Sequence, residues 1–202
     1  MTHRKRTAIF ISGRGSNMRN LIAAARAPDY PAKIALVLSN RPEAEGLAFA
    51  TAEGIPTAAV DHKIYAGRDE FEKSVQVLLD LHRIELICLA GFMRVLTPWF
   101  VKRWQGRLVN IHPSLLPDFR GTHTHARALE AGVAEHGCTV HFVVPELDAG
   151  PTILQAKVPV LPGDDEASLS ARVLEQEHIL YPRALALVAS GAARLETSAG
   201  GT

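Results

Sequence analysis

Leu108-Val109-Asn110-Ile111-His112-Pro113-Ser114-Leu115-Leu116-Pro117 reads as a buried strand that runs into a proline-bounded loop. Gly106-Arg107 supplies the turn before it. Side chains alternate along a strand, so Asn110 and His112 leave one face while Val109 and Ile111 pack on the other. Pro113 removes a ladder donor and Pro117 fixes the loop that follows. In an open α/β sheet the carboxyl ends of strands line the ligand crevice, and an amide beside an imidazole there can stabilise an anion.

The pattern around this strand alternates in type. Thr7–Ser12, Lys33–Ser39, Ile55–Val60, Leu86–Leu89, Thr139–Val144 and Thr152–Val160 are apolar, strand-like runs. Between them lie helical stretches: one through Met18–Ala25 with Ser16 or Asn17 as N-cap, one over Glu43–Glu53 closed by Gly54, and Arg68–Arg83 with Phe71, Val75, Leu78, Leu79 and His82 on one stripe. Thr97-Pro98 opens a short helix, another runs from about His125 to Ala131, and Asp164 or Asp165 begins a long one through Leu187. Alternating units of this kind predict a single-domain α/β fold, an open, mostly parallel twisted sheet with helices on both faces, Rossmann-like. The domain is expected over residues 7–195, with a disordered leader at 1–6 that carries Arg4-Lys5-Arg6 and a disordered tail at 196–202.

Composition narrows the classes of partner. A formal net charge of +1 over 202 residues leaves no electrostatic footprint for nucleic acid or an acidic membrane surface. No apolar run approaches a membrane span, and the first residues lack the apolar core of a signal peptide. Cys88 and Cys138 both fall inside apolar runs, far from any C-x-x-C spacing, as expected of buried thiols in a reducing, cytoplasmic setting. Small-molecule substrates are the expected partners, with the chain a monomer or homodimer.

Gly13-Arg14-Gly15-Ser16-Asn17 follows the first strand and opens a helix, the position of a phosphate cradle. The dinucleotide fingerprint fails at its third glycine, where Met18 stands, and the second strand ends in Ser39-Asn40 with no acidic residue for a ribose diol. That points to a single phosphate; a glycine turn serving only strand-to-helix geometry is the alternative. Asp148, on the segment Val143–Pro151, can reach His112 from the same carboxyl edge and favour the charged imidazole. No G-x-S-x-G elbow surrounds Ser114, so the equipment suits an acyl transfer in which the substrate's own amine attacks. A buried, merely hydrogen-bonded His112 with Asp148 capping a turn is the plainer reading. His123-Thr124-His125, with His112 and His136, raises zinc as a third, but no helical H-E-x-x-H pair or cysteine cluster accompanies it, and no metal is expected.

Five blocks together carry a resemblance: Ile11-Ser12-Gly13-Arg14-Gly15-Ser16-Asn17, Leu89-Ala90-Gly91-Phe92-Met93-Arg94, Asn110 to Pro117, His123-Thr124-His125 and Glu146-Leu147-Asp148-Ala149-Gly150-Pro151. In this order and spacing, from about Thr7 to Leu195, the chain resembles the phosphoribosylglycinamide formyltransferases, folate-dependent enzymes of purine biosynthesis. The resemblance implies transfer of the formyl group of 10-formyltetrahydrofolate, a co-substrate, to the amine of glycinamide ribonucleotide. It implies that Asn110, His112 and Asp148 are catalytic, His112 as the proton donor and Asp148 as its relay through water. It places the ribotide against Gly15, Ser16, Asn17 and Glu177. The folate falls to Arg68, Met93, Arg94, Val95, Leu96, Asn110, Val144, Pro145, Glu146, Leu147 and Asp148. Leu174 stands where relatives often carry a glutamine, and Asp118-Phe119-Arg120-Gly121-Thr122 departs from the commoner proline-glycine loop.

Two related enzymes share the folate core. Methionyl-tRNA formyltransferases add a C-terminal tRNA-binding domain, whereas seven residues follow Leu195 here. Formyltetrahydrofolate deformylases normally carry an N-terminal regulatory domain. From another class, a non-catalytic nucleotide-binding module would keep the glycine loop and bind no folate.

Overall fold

Strand order, more than any single strand, sets the architecture. A computed structural model describes residues 3–195, and within them seven strands form one sheet in the order β3-β2-β1-β4-β5-β6-β7. The strands are β1 (Lys5–Ile11), β2 (Ala32–Ser39), β3 (Thr57–Ala59), β4 (Leu86–Leu89), β5 (Leu108–His112), β6 (Glu135–Phe142) and β7 (Thr152–Pro159). Pairing is parallel from β3 through β5; β6 runs antiparallel to both of its neighbours. The sheet is therefore mostly parallel, as the alternating pattern predicts, with one reversed strand that the pattern does not show.

Helices α1 (Ser16–Ala24), α2 (Glu45–Ala52), α3 (Arg68–Leu81), α4 (Pro98–Arg103), α5 (Thr124–Glu130) and α6 (Glu166–Ser190) connect or follow the strands. Period-two burial sorts the strand side chains into two cores. Ile9, Ile11, Val109 and Ile111 pack with Met18 and Leu21 of α1 and with Leu169, Val173, Tyr181 and Leu185 of α6. Ala8, Phe10, Ile87 and Leu108 pack with Phe71, Val75 and Leu79 of α3 and with Phe100 and Trp104 around α4. Because Val109 and Ile111 belong to the first core, Asn110 and His112 leave the other side of β5, as alternation requires.

Several expectations need correction. Lys5 and Arg6, assigned to a disordered leader, begin β1. The reason is Glu85, whose carboxylate takes the Arg6 N–H at 2.9 Å and Lys5 Nζ at 3.0 Å. Burial works upward on that carboxyl, but hydrogen bonds from Arg6, His3 and Lys5 outweigh it and bring its pKa to about 2. The expected tail at 196–202 lies outside the described residues. β6 starts at Glu135, four residues before the apolar run begins, because it pairs along the whole of β7 from Glu135 opposite Pro159. Gly137 permits that pairing: a Cβ there would stand 2.0 Å from the Ala156 carbonyl oxygen.

On α3 the stripe shifts. Glu72 and Gln76 are buried while Leu78 and His82 are only partly covered. Glu72 accepts from the Thr97 N–H at 2.7 Å and from its hydroxyl, and Gln76 accepts from Trp104 Nε1 at 2.9 Å. Burial drives the Glu72 pKa upward, with the Thr97 bonds opposing it. These polar residues hold the segment after β4 in place, which amphipathic spacing cannot foresee.

Tyr181 crosses from α6 to the sheet, its buried hydroxyl shared between the carbonyl oxygens of Leu89 (2.9 Å) and Val109 (3.2 Å). Tyr181→Phe removes both of these bonds and is expected to lower stability by about 1–2 kcal/mol. A urea midpoint that falls with an unchanged m-value checks this.

Candidate active site

The carboxyl ends of β1, β4 and β5 lie side by side, and the segments leaving them meet. After β1, Gly15 takes the left-handed conformation (φ 72°) as the residue before α1. Ser16 and Asn17, expected as caps, are instead the first two residues of the helix. No described side chain caps it, and its first turn holds no acidic residue. The N–H groups of that turn, at the positive end of the helix, are thus open to an anion. A side chain at residue 15 would both strain the backbone and press on Met18, 2.9 Å from the added Cβ.

Asn17 and Glu177 are brought together from opposite ends of the chain. Asn17 Nδ2 donates to Glu177 Oε2 at 2.6 Å, both side chains buried. Burial raises the Glu177 pKa, with the Asn17 bond opposing. Asn17 Oδ1 has no hydrogen-bond partner among the described residues. A buried amide oxygen without a donor is unfavourable by roughly 1–3 kcal/mol, so the position favours a ligand N–H or O–H.

The segment after β4 carries Met93, Arg94, Val95 and Leu96. Ser12 Oγ accepts from the Met93 N–H at 2.8 Å, and the Ser12 N–H donates to the Gly91 carbonyl at 3.1 Å, which ties this segment to the glycine loop. Arg68, the first residue of α3, donates to the Val95 carbonyl at 3.4 Å. Arg94 stacks over Phe71, with its guanidinium carbon 5.2 Å from the ring centroid. Met93 and Val95 are more than half exposed, as is Leu147, while Leu96 is buried.

Asp148 reaches His112 by another route than the shared edge expected from the sequence. β6 is antiparallel to β5, so its last residue, Phe142, pairs with Val109 at the start of β5, and the Val143 N–H bonds to Leu108 O. Residues 143–148, including Val144, Pro145 and Glu146, must therefore return along β5 by about 10 Å for Asp148 to meet His112. They do: Asp148 Oδ2 lies 3.6 Å from His112 Nδ1, both side chains under 10% exposed. That is ion-pair range without a direct hydrogen bond. Asp148 Oδ2 accepts the Gly121 N–H at 2.9 Å, and His112 Nε2 lies 3.0 Å from the Phe119 carbonyl oxygen.

The same register exposes a residue that the motif reading misses. His141 pairs directly with Asn110, so their side chains share a face, and Asn110 Nδ2 lies 3.2 Å from His141 Nε2. His141 Nδ1 lies 2.9 Å from the Phe142 carbonyl oxygen. Burial pushes the His141 pKa down against the pull of that carbonyl and of Asp148, keeping the ring neutral. A neutral ring that donates from Nδ1 accepts at Nε2. One N–H of Asn110 is therefore committed to His141, which orients the amide and leaves the second N–H for an oxyanion. The one signal in the sequence was a histidine inside the apolar run Thr139–Val144.

His125 and His136 face one another with ring centroids 5.3 Å apart, and among the described residues no three His, Cys, Asp or Glu side chains converge as a metal site.

On this mostly parallel sheet, an open helix terminus can hold an anion, and an oriented amide with an imidazole beside a carboxylate can stabilise an oxyanion and move a proton. Residues 5–185 match the formyl transferase family. The chain is 44% identical over 191 residues to the phosphoribosylglycinamide formyltransferase of Escherichia coli K12, covering 95% of this chain and 90% of that protein. It is 50% identical over 190 residues to the human trifunctional purine biosynthetic protein adenosine-3, covering 94% of this chain but only 19% of that longer protein. The solved phosphoribosylglycinamide formyltransferase of Brucella melitensis superposes with a TM-score of 0.89 at 52% identity, over 93% of this chain and 97% of that one. The chain belongs to the formyl transferase family.

His136 is fully buried, and burial together with the facing His125 lowers its pKa from 6.5 to about 4. The unfolded chain takes up that proton first, so this contribution to stability is complete above pH 6.5 and is lost as pH falls towards 4. Tm followed across that range is expected to fall less steeply in His136→Phe than in the parent; parallel curves would contradict the assignment.

Proposed function

We propose that the chain transfers the formyl group of 10-formyltetrahydrofolate to the amine of glycinamide ribonucleotide, a step in purine synthesis. The observation that carries this reading is the meeting of Asn110 and His112, from one strand face, with Asp148. The family, and relatives named for this reaction, support it.

The ribotide phosphate sits on the N–H groups of Gly15, Ser16 and Asn17, and Glu177 with the unpartnered Asn17 oxygen receives the ribotide's polar groups. The pterin lies between Met93–Leu96 and Val144–Asp148, where exposed Met93, Val95 and Leu147 offer apolar contact, with Arg68 at the margin. The acceptor amine attacks the formyl carbon, and the carbonyl electron pair becomes an oxyanion held by the free N–H of Asn110 and by protonated His112. Asp148 stabilises that imidazolium. The attacking nitrogen loses its proton, and the N10 leaving group gains one, through His112 and the water that a gap of 3.6 Å to Asp148 admits. Proximity supplies a further share of the rate, since no covalent enzyme intermediate is required.

The substrates are small molecules, and we read the enzyme as cytoplasmic and as a monomer or homodimer without nucleic-acid partners. The near-neutral charge and the free, buried Cys88 and Cys138 support this. Among the described residues no helix is long and apolar enough to cross a membrane.

A coupled assay with both substrates tests the reading. Asn110→Ala is expected to lower kcat by roughly 100- to 1000-fold and His112→Ala by roughly 100-fold or more, with melting curves preserved. Asp148→Asn keeps the shape, removes the charge and should lower kcat by about tenfold or more. Formate release that is independent of glycinamide ribonucleotide would indicate a deformylase instead, and His112→Ala at near-parental rate would overturn the mechanism.

A further inference from the structure

The loop between β5 and α5 touches both acid-base residues through its backbone alone. His112 Nε2 faces the carbonyl of Phe119 at 3.0 Å, and Asp148 Oδ2 takes the N–H of Gly121 at 2.9 Å. A carbonyl oxygen can only accept, so Nε2 keeps its proton whether the ring is neutral or charged. The proton that comes and goes is therefore the one on Nδ1, the nitrogen turned towards Asp148.

This loop cannot hold that shape unaided. Phe119 (φ 53°), Gly121 (φ 81°) and His123 (φ 56°) are all left-handed, a conformation that is unfavourable for the two non-glycine residues. Its ends are anchored, by Ser114 Oγ to the Asp118 carbonyl and by Thr124 Oγ1 to the Pro113 carbonyl, both at 2.6 Å. Its middle is gripped by one side chain. Arg127 Nη1 donates to the Arg120 carbonyl at 2.7 Å and to the Thr122 carbonyl at 3.4 Å, and its guanidinium carbon lies 5.6 Å from the centroid of the Phe119 ring. The exposed contact of Arg120 with Glu146, at 3.4 Å, adds little.

We propose that Arg127, which touches neither substrate, is a positioning residue for the transfer: by bracing residues 119–122 it fixes His112 in the Nε2-protonated tautomer and points Asp148 at Nδ1. The kinetic part rests on the functional reading above; the tautomer does not. Binding surfaces for ribotide and folate lie on other segments, so loss of the brace reduces turnover while leaving affinity in place.

The test has two arms on the intact protein. In ¹⁵N-edited NMR without substrate, with the His112 signals assigned by their loss in His112→Asn, the parent shows the Nε2-protonated tautomer and Arg127→Ala a mixture of both. In formyl transfer, Arg127→Ala lowers kcat by roughly three- to tenfold with both KM values within about twofold. Arg127→Lys, whose ammonium can still reach one carbonyl, recovers part of the loss. A parent that is Nδ1-protonated, tautomers unmoved by Arg127→Ala, or a loss confined to KM would each overturn the proposal. If Arg127→Ala melts below the assay temperature, Arg127→Gln, which keeps one donor, takes its place under the same criteria. A parent that transfers no formyl group would sink the functional reading, and the tautomer measurement would still decide this one.

Discussion

The register of β6 against β5 is the constraint on which the site depends. Antiparallel pairing sets His141 opposite Asn110 and sends the chain out beside Leu108, so that the segment after β6 must return over the polar face of β5. A one-residue slip would turn His141 to the opposite face, and the Asn110 amide would lose the partner that orients it. With β6 parallel, its exit would lie beside His112 directly and residues 143–147 would have no path across the face where the pterin is read to lie. Geometry at the centre is thus set by main-chain hydrogen bonding, with the chemical groups carried along.

Around that register the molecule uses buried polar side chains as struts. Glu72 braces the segment before α4, Tyr181 joins α6 to β4 and β5, and Asn17 meets Glu177 across most of the chain's length. Each is satisfied locally, in keeping with the penalty for burying a polar group alone. Among the described residues the buried side-chain atoms left without a partner include the Asn17 amide oxygen at the site and both ring nitrogens of His136, with others on Arg4, Glu53, His125 and His178. Among the described residues, Phe119, His123 and Asp148 are three of the four non-glycine residues with positive φ, and all belong to the loops that frame His112. Such outliers persist only where surrounding contacts over-determine them.

Much of this was legible in the residues. The glycine turn, the pair Asn110 and His112, and the Thr97-Pro98 and Asp165 helix starts all fall where local rules place them. Local rules failed where a distant partner decided. Glu85 draws Lys5 and Arg6 into β1, Gly15 displaces Ser16 and Asn17 as the residue before α1, and β7 extends β6 back to Glu135 through residues with no strand signature.

The sequence by itself determined the α/β class, the glycine turn after the first strand and the shared face of Asn110 and His112 on β5, because alternation and turn preferences act within a few residues. Only the tertiary structure decided that β6 is reversed, that His141 orients Asn110 and that His112 and Asp148 are held by one strained loop. Those facts follow from hydrogen bonds between segments 20 to 40 residues apart, whose register no local pattern encodes.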